Sequence, residues 1–290
     1  MFKGIYTALI TPFKNGKVDE RAFQSFVEWQ IAEGVHGLVP CGTTGESPTL
    51  SHEEHNRVID LCVEVAKGRV PVMAGTGSNS TDEAIMTTLH AKKAGATAAL
   101  IVAPYYNKPM QEGLYQHFKA IHDATEFPIV IYNIPGRTGV NITDETLARL
   151  AELPHIVGLK DATGDLARPY TLRQKLKKPL ALLSGEDMTA IAFNVSGGQG
   201  CISVASNIVP KTCAKIQELC FTGDYAGALK LQDTLVELTT ALFSETNPSP
   251  VKYAVSLLGK CEPELRLPLV EPQEATQKHI MQVLKNLRLL

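Results

Sequence analysis

The feature that most limits what this chain can fold into is an alternation repeated eight times: a short run rich in Val, Ile and Leu, then a longer stretch of helical periodicity. The short runs are Ile5–Ile10, Gly37–Cys41, Val70–Ala74, Ala98–Ala103, Pro128–Asn133, Ile156–Asp161, Leu180–Ser184 and Gly200–Val204. Neither an all-strand nor an all-helix pattern accounts for it. Apolar residues crowd both faces of nearly every run, which suits strands covered on both sides, and such strands form parallel sheets whose crossovers are helices. The longer stretches carry helix signals. Asp19 can cap a segment with Phe23, Phe26, Val27 and Ile31 at helical spacing, and Gly34 ends it. Ser51 followed by Glu54 forms a capping-box pattern, and Thr143 with Thr146 opens another helix. Eight such units fit a (β/α)₈ TIM barrel, which takes ~250 residues, better than an open doubly wound sheet, since no dinucleotide fingerprint follows the first run. After Gly223 the strand pattern stops. Three helical stretches remain, Asp224–Leu242, Pro248–Leu258 and Glu271–Leu287, with Asn247-Pro248-Ser249-Pro250 marking a helix start. The expected organisation is an α/β catalytic barrel over 1–223 and a C-terminal three-helix extension over 224–290.

Composition narrows the ligands. At 290 residues and 44% hydrophobic, the chain can bury a large core, and its net charge of −2 gives no field that would gather nucleic acid or an anionic membrane surface. Any anionic ligand must be held by local groups. Cys41, Cys62, Cys201, Cys213, Cys220 and Cys261 contain no C-x-x-C pair, which suggests buried, reduced thiols rather than a zinc site or a disulfide framework. Met1–Tyr6 runs straight into a strand pattern without the apolar region of a signal peptide, and no run is long enough to span a bilayer. The expectation is a cytoplasmic protein with neither membrane nor nucleic-acid partner.

In a barrel of this kind the chemistry sits at the carboxyl ends of the strands. Lys160 ends the sixth apolar run. Desolvation favours the free amine of a lysine, and a free amine attacks carbonyl carbon; the alternative is a snorkelling side chain with its head in water. Converging on the same mouth are Gly42-Thr43-Thr44-Gly45-Glu46 after the second run, Tyr105-Tyr106-Asn107 after the fourth, and Tyr132-Asn133 with Arg137 at the fifth. Hydroxyls, a phenol, a guanidinium and a lysine around one cavity are the parts of a Schiff-base enzyme. Lys160 would attack a ketone, Tyr132 would relay protons, and Arg137 with the Gly42–Gly45 loop would hold carboxylates. Taken singly each has a plainer reading: Tyr132 as barrel interior, Arg137 as surface arginine, the glycine loop as a tight turn. Gly75-Thr76-Gly77 is not taken as a phosphate site. Ser196–Gly200 precedes a strand and belongs to the stability face.

The motifs Gly42–Glu46, Tyr132-Asn133-Ile134-Pro135-Gly136-Arg137-Thr138-Gly139 and Lys160-Asp161-Ala162-Thr163-Gly164 resemble those of the dihydrodipicolinate synthase family, within the N-acetylneuraminate lyase superfamily of class I pyruvate aldolases, and the likeness runs over essentially the whole chain. The resemblance implies a lyase that condenses pyruvate with aspartate 4-semialdehyde to 4-hydroxy-tetrahydrodipicolinate, with neither metal nor organic cofactor, on the way to diaminopimelate and lysine. It implies an imine at Lys160 and a proton relay of Thr43, Tyr132 and Tyr106, the last reaching a neighbouring subunit's site. Thr44, Arg137, Gly185 and Ile202 would bind substrate, Arg137 through the aldehyde's carboxylate. It also implies a homotetramer, built as a dimer of dimers, and feedback inhibition by lysine at Ser47, Pro48, His52, His55, Asn79, Glu83 and Tyr105, outside the barrel mouth. Pro48 departs from the smaller residue expected there. On residue type alone His52 and His55 also read as a solvated helix terminus or a metal pair, without the H-E-x-x-H spacing. The rival functions are an N-acetylneuraminate or keto-deoxy-sugar-acid aldolase, which has no need of Arg137, and a non-catalytic amino-acid-binding barrel.

Overall fold

A computed structural model describes residues 2–290 of the chain. Eight parallel strands form the barrel: β1 (Gly4–Ala8), β2 (Gly37–Val39), β3 (Met73–Gly75), β4 (Ala98–Val102), β5 (Ile129–Asn133), β6 (Ile156–Asp161), β7 (Ala181–Ser184) and β8 (Gly200–Ser203). Their order, β2-β1-β8-β7-β6-β5-β4-β3, is closed by a bridge between Leu38 and Val72, with the Leu38 N–H on the Pro71 carbonyl at 3.0 Å and the Gly75 N–H on the Pro40 carbonyl at 2.9 Å. The third strand begins later than the apolar run suggested. Pro71 has no N–H to give a ladder, so regular pairing starts beyond it.

The crossovers are α1 (Glu20–Ala32), α2 (His52–Ala66), α3 (Thr81–Ala94), α4 (Gln111–Thr125), α5 (Asp144–Ala151), α6 (Arg168–Lys175), α7 (Ala190–Val195) and α8 (Pro210–Phe221). Their starts follow the sequence signals. The Ala22 N–H donates to Asp19 at 3.0 Å, the Ser51–Glu54 capping box is reciprocal, and the Thr146 N–H donates to Thr143 at 3.3 Å. Alternation along the strands divides the core in two. Val130, Tyr132, Tyr6, Leu183 and Ile202 fill the barrel, while Ile129, Ile131 and Leu159 face the helices.

Beyond the barrel the first of the three expected helical stretches breaks at Thr234–Leu235 into α9 (Tyr225–Asp233) and α10 (Val236–Leu242). Then come α11 (Ser249–Leu257), a strap, and α12 (Glu274–Asn286). The extension is bonded into the barrel mouth by Asn247, Lys252 and Arg266. All six cysteines are unpaired, five of them buried. Among the described residues no helix is long and apolar enough to cross a membrane.

Candidate active site

Half of the mouth is carried by strands. Register pairs Tyr132 with Lys160 and Asn133 with Asp161, so alternation sends the first pair into the barrel and the second toward the helices. Lys160 is only 7% exposed, and its Nζ lies 4.0 Å from the centroid of the Tyr132 ring, a cation–π contact. Gly185, just after β7, makes room for it: a Cβ there would stand 3.2 Å from Lys160 Cε and 2.7 Å from the Ala162 Cβ. Ile202 on β8 packs in the same inner cluster as Tyr132. Beneath these, the buried Asp187 carboxylate accepts from the Ser203 hydroxyl and from the Val204 and Ala205 N–H groups at 2.8 and 3.1 Å. Burial pushes its carboxyl above the usual range, while those donors and the nearby Lys160 pull the other way.

On the outward side Arg168 ties the strand ends to the helix layer. Its guanidinium donates to Asp144 at 3.0 Å, Asn141 at 3.2 Å and the Ile142 carbonyl at 2.7 Å, and stands 3.6 Å from Asp161 Oδ2. Asn141 Oδ1 also accepts from Asn133 Nδ2 at 2.8 Å. Asp161 Oδ1 takes the Thr163 N–H and hydroxyl at 2.8 and 2.6 Å, yet burial still raises its carboxyl above the ordinary range.

The other half is carried by loops. Between β2 and α2 the chain turns through Gly42–Glu46, with the Gly45 N–H on the Gly42 carbonyl and the Glu46 N–H on the Thr43 carbonyl, each at 3.1 Å. Thr11 pins it from below by donating to the Gly45 carbonyl at 2.7 Å. Among the described residues the N–H groups of Thr43 and Thr44 meet no acceptor in the protein. Adjacent unpaired amides in a turn suit an anion. The Thr44 hydroxyl accepts from Asn247 Nδ2 at 3.1 Å, and Arg137, in the helical turn Pro135–Thr138 after β5, donates to the Asn247 carbonyl at 3.2 Å. One residue of the extension therefore touches both groups suited to carboxylates.

Thr43, Tyr132 and Arg137 line a cavity of about 370 Å³. The same cavity is lined by Ser47, Pro48, His52, His55, Glu83 and Tyr105. The sequence places these six residues outside the barrel mouth, but in a single subunit they share one cavity with it, because β2 and β3 are neighbours and their loops form one wall. His52 Nε2 is 3.4 Å from Glu83 Oε1, and Ser78 donates to the other Glu83 oxygen. Burial holds His55 down at about 4. Asn79 donates to the Tyr105 carbonyl at 3.2 Å and stabilises the turn that turns Tyr106 outward, 90% exposed at φ +70°. Among the described residues no backbone hydrogen bond joins Thr43, Tyr132 and Tyr106.

Asp187, Arg168, Asn247 and Lys252 were not singled out from the sequence. Asp187 carries a signal, since it follows a strand at the catalytic end; in sequence Asn247 marks only a helix start. The others had no local signal.

A closed (β/α)₈ barrel with a buried lysine near the carboxyl end of β6, packed against a phenol, defines the class: a barrel enzyme suited to imine chemistry. The chain belongs to the Dihydrodipicolinate synthetase family, which it matches over residues 1–287. It is 65% identical over 277 residues to the 4-hydroxy-tetrahydrodipicolinate synthase of Rhodospirillum centenum, covering 96% of this chain and 95% of that one. The chloride-inhibited dihydrodipicolinate synthase of Acinetobacter baumannii complexed with pyruvate superposes with a TM-score of 0.97 at 45% identity over 100% of both chains. The enzyme of Cyanidioschyzon merolae with lysine bound superposes at 0.95 with 38% identity, over 100% of this chain and 99% of that one.

Proposed function

We propose that the chain joins pyruvate to aspartate 4-semialdehyde, giving 4-hydroxy-tetrahydrodipicolinate and water. The Lys160 amine attacks the ketone carbon of pyruvate and water leaves, forming an imine. Loss of a methyl proton gives the enamine, whose carbon attacks the aldehyde. The amine of the second substrate then closes on the imine carbon and expels the Lys160 amine. Tyr132 and Thr43 move protons at the mouth, and Tyr106 completes a neighbouring subunit's relay. Thr44 and the free amides beside it hold the carboxylate of pyruvate; Arg137 holds that of the aldehyde; Gly185 and Ile202 shape the floor. The observation that carries this reading is Lys160, buried at the carboxyl end of its strand against the ring of Tyr132, which lines the cavity together with Thr43 and Arg137.

The same proposal covers regulation and assembly. Lysine binds at His52, His55 and Glu83, with Ser47, Pro48, Asn79 and Tyr105 around it, and slows turnover. The pairing of His52 with Glu83 and the near-complete exposure of Tyr106 support, respectively, an ammonium-binding carboxylate and a partner subunit opposite the loop. The subunits form a tetramer in the cytoplasm, each a barrel over 1–223 with the extension 224–290. The deciding test is borohydride reduction in the presence of pyruvate, with the adduct located by mass spectrometry. Aspartate semialdehyde and N-acetylmannosamine are then compared as second substrates. A pyruvyl group on Lys160 and turnover with the semialdehyde alone are expected. An unmodified Lys160 ends the proposal.

A further inference from the structure

We propose that the buried ion pair of Glu46 and Lys252 is a positioning device through which the extension sets the Thr43–Thr44 loop, and with it the affinity for pyruvate. This rests on the reading of that loop as the carboxylate holder. Lys252 lies on α11 and Glu46 at the end of the loop, 206 positions apart, and both side chains are 0% exposed. Lys252 Nζ donates to Glu46 and, at 3.0 Å, to the Glu264 carbonyl, and it stands 4.1 Å over the Phe13 ring. The second Glu46 oxygen accepts the Arg266 N–H at 3.2 Å.

Burying two charges is expensive, and apolar side chains of the same size would hold the extension at equal or lower cost. What an ion pair adds is direction. Glu46 needs it, because it adopts the left-handed conformation, φ +54°, which a side-chain-bearing residue keeps only where its surroundings enforce it. From that conformation its N–H closes the turn on the Thr43 carbonyl at 3.1 Å, in a loop where the Thr43 and Thr44 N–H groups meet no acceptor in the protein and Thr43 lines the cavity. The carboxylate thus anchors the backbone whose turn exposes the donors. Neither residue lines the cavity, so each acts through the loop.

The test compares Glu46→Gln, Lys252→Met and the double variant with the parent enzyme, reading melting temperature, kcat, the KM for pyruvate and borohydride trapping. Each single variant leaves one buried charge unpaired and should melt lower, whereas the double variant should regain most of that loss. A positioning role predicts a pyruvate KM raised about tenfold in all three, the double variant included, with kcat within about threefold. A double variant with the parent KM would overturn the proposal, and so would failure of all three to fold, since the pair would then serve stability alone. No pyruvyl adduct in the parent enzyme would instead remove the reading of the site on which the proposal stands.

Discussion

Lys160 and Tyr132 stand on adjacent strands in direct register, whereas Thr43 and Thr44 stand on a loop and Arg137 on a single helical turn, both tied to the extension through Asn247. The first pair is backed by the barrel core on one side and by the Arg168 network on the other. The second group is tied by hydrogen bonds to a residue late in the chain, Asn247. The difference suits two tasks. A covalent step tolerates little error in the distance between amine and carbonyl, so it belongs on strands. Recognition of a carboxylate depends on where donors point, and a loop can adjust its donors without disturbing the barrel.

The largest effect should come from the strand half. Lys160→Ala removes the nucleophile we propose, and turnover is expected to fall on the order of 10⁴-fold or more, with no pyruvyl adduct on borohydride treatment. Residual trapping at another lysine would break the comparison at its root. Next comes the brace behind those strands. Arg168→Met leaves the buried Asp161 and the half-buried Asp144 without their counter-charge, and urea unfolding should show a loss of about 3 kcal/mol or more. A loss below about 1 kcal/mol would mean that the ladder alone holds the strand ends.

The loop half should respond differently. Arg137→Ala is expected to raise the KM for aspartate semialdehyde about tenfold to a hundredfold while pyruvate trapping at Lys160 persists. Steady-state kinetics with each substrate varied in turn checks this; equal effects on both substrates would join the two halves into one unit.

The smallest effect sharpens the comparison from outside the mouth. His117, on α4, is buried with Nδ1 2.9 Å from the Thr81 hydroxyl, and burial holds it down at about 4 from its ordinary 6.5. The unfolded chain therefore binds the extra proton first. Stability from the neutral ring is complete above pH 6.5 and is lost as the pH falls toward about 4. Melting temperature should drop from pH 7 to 5, and His117→Gln should flatten that slope by about 1–2 kcal/mol without altering the pyruvate KM. An unchanged slope would assign the acid sensitivity to other groups, His55 among them.

Much of this molecule was legible because the relevant physics is local. Apolar runs of strand length, caps such as Asp19 and Ser51, and the rule that barrel chemistry gathers at strand ends carried the reading from residues to mouth. The strand boundaries moved by at most three residues, most at β3, which starts at Met73 rather than Val70 because Pro71 delays pairing. The break between α9 and α10 was not legible, since nothing in Thr234–Leu235 forbids a continuous helix. Nor was the shared wall of the cavity: that His55 and Thr43 face one space depends on β2 and β3 closing the barrel, which no window of sequence contains.

By itself the sequence determined the eightfold βα order, the helical extension, and which side chains could reach the mouth, because periodicity, capping and strand alternation each act within a few residues. Only the tertiary structure decided that Glu46 is a buried anchor rather than the last residue of a glycine turn, that Lys252 is its counter-charge, and that Asn247 spans Thr44 and Arg137. Those contacts join residues more than a hundred positions apart. A charged side chain shows whether it is solvated or buried only after folding has chosen its neighbours.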